Sequence, residues 1–281
     1  MSAACTVLLK AAESKSAALA PALWAARHTV FPHFAAGVHI DECAATAARI
    51  SKKARAKSII DWSSEEAESP EELEHNLLSK LEMLQSVRGK MPHTASFVAV
   101  KLTALVEPSL LETVTAEMHR VSASRDAAPG VKTSPQVISL DQLESLSAND
   151  SAAVSSAIAR LQRLAEAARA AELRLLLDAE QTHRQPAINL IARELQKRTN
   201  TCVSEPASSS AKGERWAQTG LPVVYNTFQM YLDDAPLYGG TSLAAELAYA
   251  KAHGFTMAAK VVRGARCQIS LIAGPVVLNV R

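Results

Sequence analysis

The sequence predicts an α/β protein built on a parallel sheet, and three observations carry that prediction. Five short apolar runs each end on a charged or amide side chain: Ser58 to Asp61, Phe97 to Lys101, Leu173 to Asp178, Pro222 to Asn226 and Phe255 to Lys260. At least one helical pattern separates each run from the next, an alternation that yields right-handed crossovers between parallel strands. The length of 281 residues suits one large domain, and a (β/α) barrel of about 250 residues fits within it. Apolar runs of this length read as strands buried on both faces. Their polar ends would then share the C-terminal rim of the sheet, where such barrels keep their catalytic groups.

The elements follow in order. The first 28 residues carry Lys10, Lys15 and Arg27, with Glu13 as their one acid, among many serines and alanines. This pattern suits either an organelle transit peptide or an ordinary amphipathic first helix. Ser69, Pro70, Glu71 and Glu72 supply a cap, a first-turn proline and first-turn acids for the stripe Leu73, Leu77, Leu81, Leu84. Ser122 to Gln136, with two prolines and a glycine, reads as a surface loop. Asn149, Asp150 and Ser151 offer caps for a helix whose inner face is Val154, Ile158, Leu161 and Leu164. Pro186 opens a further helix with Ile188, Ile191 and Leu195 inward and Lys197-Arg198 at its C-terminal end, where cations suit the dipole. The Ser-rich, charged stretch Glu205 to Arg215 reads as an insertion, and the pattern of Leu243 and Leu247 stops at Gly254.

Composition narrows the function. Hydrophobic residues make up 48% but aromatics only 4%, so the core is built from Ala, Leu, Val and Ile. Net charge is +2 with both signs interspersed, which leaves no basic stripe for nucleic acid. Cys5, Cys43, Cys202 and Cys267 lie far apart without metal-ligand spacing, so a reduced chain without disulfides or bound metal is expected. No stretch approaches the roughly 18 consecutive apolar residues of a membrane span.

Chemistry concentrates at the strand ends. Asp178 opens the sequence Asp178-Ala179-Glu180-Gln181 directly after Leu177; its bland reading is a helix cap. Lys101 ends the second run, where a snorkelling or salt-bridged lysine is the ordinary alternative. Lys260 is followed by Arg263-Gly264-Ala265, a glycine beside a cation that lets a phosphate or planar cofactor approach. Two lysines, two aspartates and an asparagine on one rim would form a mixed-sign cavity for a small zwitterion or carboxylate plus a cofactor. A Schiff-base aldolase using Lys101 or Lys260 is a further reading of the lysines alone.

These residues also carry a resemblance. The blocks Phe97 to Leu105 (FVAVKLTAL), Leu175 to Thr182 (LLLDAEQT), Val223 to Ala235 (VVYNTFQMYLDDA) and Ala259 to Ala265 (AKVVRGA) resemble, in order, signature blocks of the proline dehydrogenase family, its eukaryotic mitochondrial branch in particular. Ile59 to Glu66 (IIDWSSEE) and Phe31 to Gly37 (FPHFAAG) are similar to the segments that precede them. The resemblance implies a distorted (β/α) barrel holding FAD at its strand ends. It also implies hydride removal from L-proline to the flavin, giving 1-pyrroline-5-carboxylate, with electrons passed to a membrane quinone. Lys101 would then pair with the substrate carboxylate. Asp178 would stand beside flavin and substrate, Ala179 against the cofactor, and Asn226 at the isoalloxazine. Lys260 would place a cation near the reactive edge of the ring. Arg263, Gly264 and Ala265 would form the FAD-contacting turn, and Glu65 an acidic gate. Location on the matrix side of the inner mitochondrial membrane is implied in the same way.

The family pattern stops after Ala265; Arg266-Cys267-Gln268 and the tail SLIAGPVVLNVR do not resemble it. The expectation is therefore a C-terminally truncated member: a leader or helical segment 1–37, a partial FAD-binding barrel 38–265 with about five of eight strands, and a divergent tail 266–281. Three strands would be missing, with the helix carrying the family's carboxylate-gripping arginine pair, leaving Lys101 to act alone in an impaired enzyme. Five strands would leave two open edges, an aggregation hazard, although the tail's apolar run and its Gly274-Pro275 turn suit one added strand in a hairpin or edge position. The alternative function is a non-catalytic fragment that binds a full-length relative through an open edge.

Overall fold

A computed structural model of the chain describes residues 20–62, 66–126, 137–201, 221–230, 243–262 and 276–280. The chain divides into two compact units, Met1–Ser58 with Gly89–Thr94, and Ile59–Arg88 with Ala95–Arg281.

In the first unit, helices α1 (Ala20–Thr29), α2 (Phe31–Phe34) and α3 (Ile40–Ala54) follow one another closely. Glu42, in the first turn of α3, accepts from the Val38 N–H at 2.8 Å and from Arg27 Nη2 at 3.1 Å. The Val38 N–H, assisted by Arg27, holds this carboxyl below its ordinary range. Gly37 is required by crowding: a Cβ there would lie 2.4 Å from Glu42 Cβ.

The second unit alternates strand and helix as the sequence predicts. After β1 (Ser58–Asp61) come α4 (Pro70–Lys90), β2 (Ala95–Val100), a 3-10 turn at Leu102–Ala104 and α5 (Pro108–Asp126). A second 3-10 turn at Leu140–Gln142 leads to α6 (Ala148–Ala170), β3 (Arg174–Leu177) and α7 (Gln185–Thr199). Then follow β4 (Val224–Gln229), α8 (Leu243–Ala252), β5 (Met257–Val262) and β6 (Val276–Val280). The strands form one sheet in the order β1-β2-β3-β4-β5-β6. Strands β2 to β5 are parallel, and β6 pairs antiparallel with β5. Among the described residues the tail thus supplies an edge strand.

Several expectations need correction. β1 is not buried on both faces: it ends the strand order, and Ile59 is 42% exposed. β4 continues past Asn226 to Gln229 and β5 past Lys260 to Val262, because Thr227, Phe228, Val261 and Val262 extend the β-favouring run. Ser122 to Asp126 belong to α5 rather than to a loop; Ser124 Oγ donates to the Arg120 carbonyl at 2.9 Å, satisfying itself within the helix. The rest of that expected loop and the Glu205–Arg215 insertion lie outside the described residues. The cap of α6 is Ser147, ahead of the predicted caps: its Oγ accepts from the Asp150 N–H at 3.1 Å and donates to Asp150 Oδ2 at 2.6 Å. Other signals hold. Ser69 Oγ accepts from the Glu72 N–H at 3.2 Å at the start of α4, and Gly254, with φ of 71°, follows α8.

The two faces of the sheet differ. On the helix side Phe228, Met257 and Ala259 pack with Ala250, Leu243 and Leu247 of α8. On the other face Leu176, Tyr225 and Ala258 pack with Phe97, whose ring meets Tyr225 edge-on at 5.4 Å. The starts of β4 and β5 are pinned by Asn200 at the end of α7. Its Nδ2 donates to the carbonyls of Val224 (2.8 Å) and Thr256 (3.2 Å), and its Oδ1 accepts from the N–H groups of Val223 and Val224. No helix among the described residues is long and apolar enough to cross a membrane.

Candidate active site

Register brings the strand-end residues to one level. Val100 lies opposite Leu177, Leu177 opposite Asn226, and Thr227 opposite Lys260. One residue further along, Lys101 and Asp178 therefore align with Thr227 and Lys260. Because side chains alternate along a strand, these four continue the face that carries Phe97, Leu176, Tyr225 and Ala258.

On that rim Lys260 Nζ donates to Asp178 Oδ1, an ion pair whose side chains are 13% and 23% exposed. The pair bridges β5 to β3 across β4, a span of about 10 Å at the usual strand spacing, which the long lysine stem covers. Thr227 lies beneath the bridge and is small, and its hydroxyl donates to the Leu177 carbonyl at 2.6 Å. The Asp178 N–H donates to the Val100 carbonyl at 2.9 Å, fixing the carboxylate against β2. Such a charge-assisted contact between partly buried groups sets a fixed dipole at the sheet edge.

Lys101 is exposed, with extended backbone (φ −85°, ψ 130°), and leads into the first 3-10 turn. Its side chain makes no hydrogen bond or ion pair among the described residues and is not joined to the Asp178–Lys260 pair, while its carbonyl accepts from the Ala104 N–H at 3.4 Å. Ala179 is half-buried beside Asp178. Asn226 is 4% exposed and turned to the helix face, where its Nδ2 donates to Asn189 Oδ1 of α7 at 3.0 Å and its Oδ1 accepts from the Thr227 N–H at 2.9 Å. Glu65, Arg263, Gly264 and Ala265 lie outside the described residues.

Sequence reasoning passed over several residues here. Lys80, 1% exposed on α4, donates to the Trp62 carbonyl at 3.3 Å, just beyond β1. Burial pushes its pKa down, opposed by Asp61 and reinforced by the charge of Lys101. A lysine one turn from Leu77 and Leu84, on an apolar stripe, was the signal. Arg184, in the loop before α7, pairs with Glu66 at 2.8 Å and Glu112 at 2.9 Å. Glu180, Gln185 and Asn189 form a polar series beside the rim; Asn189 is a lone amide among the buried apolar residues of α7.

The described rim offers fixed cationic and anionic groups on one face, with a free lysine at the same level. That donor set fits a small carboxylate and, through Lys260, a planar cofactor that gains negative charge. A cavity of about 580 Å³ lined by Asp141, Glu194, Lys197, Tyr249 and His253 lies instead near the C-terminal ends of α7 and α8, away from this rim.

A parallel α/β sheet with a charged rim defines the class. The family model described as proline dehydrogenase matches residues 43–268. The chain belongs to the proline dehydrogenase family. It is 31% identical over 175 residues to the hydroxyproline dehydrogenase of Rattus norvegicus, covering 62% of this chain and 34% of that protein. It is 26% identical over 248 residues to proline dehydrogenase 1, mitochondrial, of Arabidopsis thaliana, covering 85% and 46%. The corresponding Bos taurus protein is 40% identical over 106 residues, 38% of this chain and 14% of that one. The chain thus spans less than half the length of these curated relatives. Among solved structures, the bifunctional proline utilization A (PutA) protein aligns with a TM-score of 0.40 at 15% identity, over 77% of this chain and 17% of that one.

Proposed function

We propose that this chain is an FAD-dependent proline dehydrogenase, oxidising L-proline to 1-pyrroline-5-carboxylate with a membrane quinone as the electron acceptor. The observation that carries the reading is the Asp178–Lys260 pair, with Lys101 at the same level of the same face, in a chain of this family. Lys101, free of protein partners among the described residues, pairs with the substrate carboxylate. Asp178 orients Lys260 and lies beside the substrate, so the lysine's positive charge is in place before the reaction begins. Bound FAD would supply acceptance of the two electrons taken from the ring carbon next to nitrogen. Ala179, Arg263, Gly264 and Ala265 would hold that cofactor, and Glu65 would gate the substrate. The family's flavin-facing amide corresponds to Asn226, which here is turned to α7.

In this reading residues 38–265 form the FAD-binding part of a (β/α) barrel, between a leading segment 1–37 and the tail 266–281. The names of the Arabidopsis thaliana and Bos taurus relatives support a mitochondrial location; a membrane-quinone acceptor is consistent with the inner membrane, and the matrix side is part of this proposal. The test is direct: the purified chain is reconstituted with FAD, and L-proline is added without oxygen. A yellow protein bleached by L-proline is expected. Protein that takes up no flavin overturns the reading and leaves the non-catalytic fragment as the alternative.

A further inference from the structure

Glu180 stands two residues beyond Asp178, in the loop after β3. Its carboxylate accepts from the Thr103 N–H at 3.2 Å and from Thr103 Oγ1 at 2.7 Å, so one side chain takes both donors of one residue. Thr103 is 2% exposed and sits within the Leu102–Ala104 turn that begins as the chain leaves Lys101. The carbonyl of Thr103 accepts from the Ala67 N–H at 3.0 Å, tying the same turn to the segment before α4.

The loop bearing Glu180 is itself anchored. Its N–H donates to Gln185 Oε1 at 2.8 Å, and Gln185 Nε2 donates to Asn189 Oδ1 at 2.9 Å. That same oxygen receives Asn226 Nδ2 at 3.0 Å. Gln229 Nε2 donates to the Glu180 carbonyl at 3.4 Å. Hydrogen bonds to a carboxylate are stronger than neutral ones, so the Thr103 end is the firm end of this series. Lys101, in contrast, has no side-chain partner among the described residues, and its backbone runs directly into the turn that holds Thr103.

We infer that Glu180 is a positioning residue: by holding the Leu102–Ala104 turn through Thr103, it presents the Lys101 ammonium at the level of Asp178 and Lys260, with Gln185, Asn189 and Asn226 as the buttress behind it. This gives Asn226 a task on the helix face of the sheet. It rests on the reading of Lys101 as the cation for the substrate carboxylate.

Two measurements on the full chain test it. Amide hydrogen exchange over 101–105 is expected to speed about tenfold in Glu180→Ala and about threefold in Thr103→Val, which keeps the backbone donor and loses only the hydroxyl. Glu180→Gln speeds it less than Glu180→Ala, because its oxygen still accepts from the N–H and its amide donates to the hydroxyl, both as weaker neutral bonds. Calorimetric titration with L-proline is expected to show about fivefold weaker binding in Glu180→Ala, and the double variant Glu180→Ala with Lys101→Ala is expected to bind no more weakly than Lys101→Ala alone. Unchanged exchange in both Glu180→Ala and Thr103→Val overturns the clamp; if Glu180→Ala does not fold, Thr103→Val alone decides this point. Independent, multiplying losses for Glu180→Ala and Lys101→Ala overturn its link to Lys101. If wild type binds no L-proline, the functional reading and the link to substrate fall together, while exchange still judges the clamp.

Discussion

Lys80 is a charge with almost no water around it, on a helix face otherwise made of leucine, valine and methionine. Its pKa is lowered from 10.5, chiefly by burial, so the folded chain holds this proton less firmly than the unfolded chain does. Stability therefore rises with pH between the depressed folded value and 10.5, where the unfolded chain binds the extra proton. Lys80→Met should be at least as stable as wild type at pH 7, and its urea midpoint should lose advantage as pH climbs toward 10.5. A midpoint difference that does not change with pH would contradict the linkage. Residue scale is also where the sequence was most informative about the rim and least about partnership. Asp178 and Lys260 stand out as polar groups closing apolar runs, but their pairing depends on a strand between them that happens to carry a threonine. Asn226 read as a strand end because the run Pro222 to Asn226 is apolar; the strand in fact continues, and one residue of offset turns a side chain to the opposite face.

At the scale of elements, α7 and the two strands it serves are held by one amide. Asn200 bonds four backbone groups at the starts of β4 and β5, and Gln196 Nε2 adds contacts to the carbonyls of Val224 (3.3 Å) and Ala258 (2.8 Å). Asn200→Ala leaves buried donors and acceptors unmatched and is expected to cost about 3 kcal/mol in urea unfolding. Asn200→Asp should not rescue it, since a carboxylate cannot donate to the two carbonyls. Helix α7 itself was legible, from Pro186, from the stripe Ile188, Ile191, Leu195 and from its basic last turn. The staple was not, because an asparagine after a helix reads equally as an ordinary stop. The start of α6 shows a similar limit: Ser147, Asn149, Asp150 and Ser151 can all cap, and only the Ser147–Asp150 exchange of hydrogen bonds selects one.

For the whole molecule, the alternating order of strands and helices was readable because each apolar run is bounded by a helical pattern, and the parallel pairing of β2 to β5 follows from it. For β6 the sequence left a hairpin or an edge position open, since a short apolar run pairs either way, and the structure pairs it antiparallel with β5. By covering the edge of β5, β6 removes a row of unpaired backbone groups that would otherwise recruit another chain. Deleting residues 276–281 should increase aggregation detectable by light scattering; an unchanged size distribution would show that the edge needs no cover. The antiparallel register also sets an order of unzipping. Val280 pairs with Met257, Val277 with Lys260 and Val276 with Val261, so a pull on the C-terminal end of β6 frees Met257 first. The stretch of β5 that bears Lys260 is among the last to be laid bare, and an invading strand reaches the ion-paired rim only after nearly the whole of β6 has peeled away.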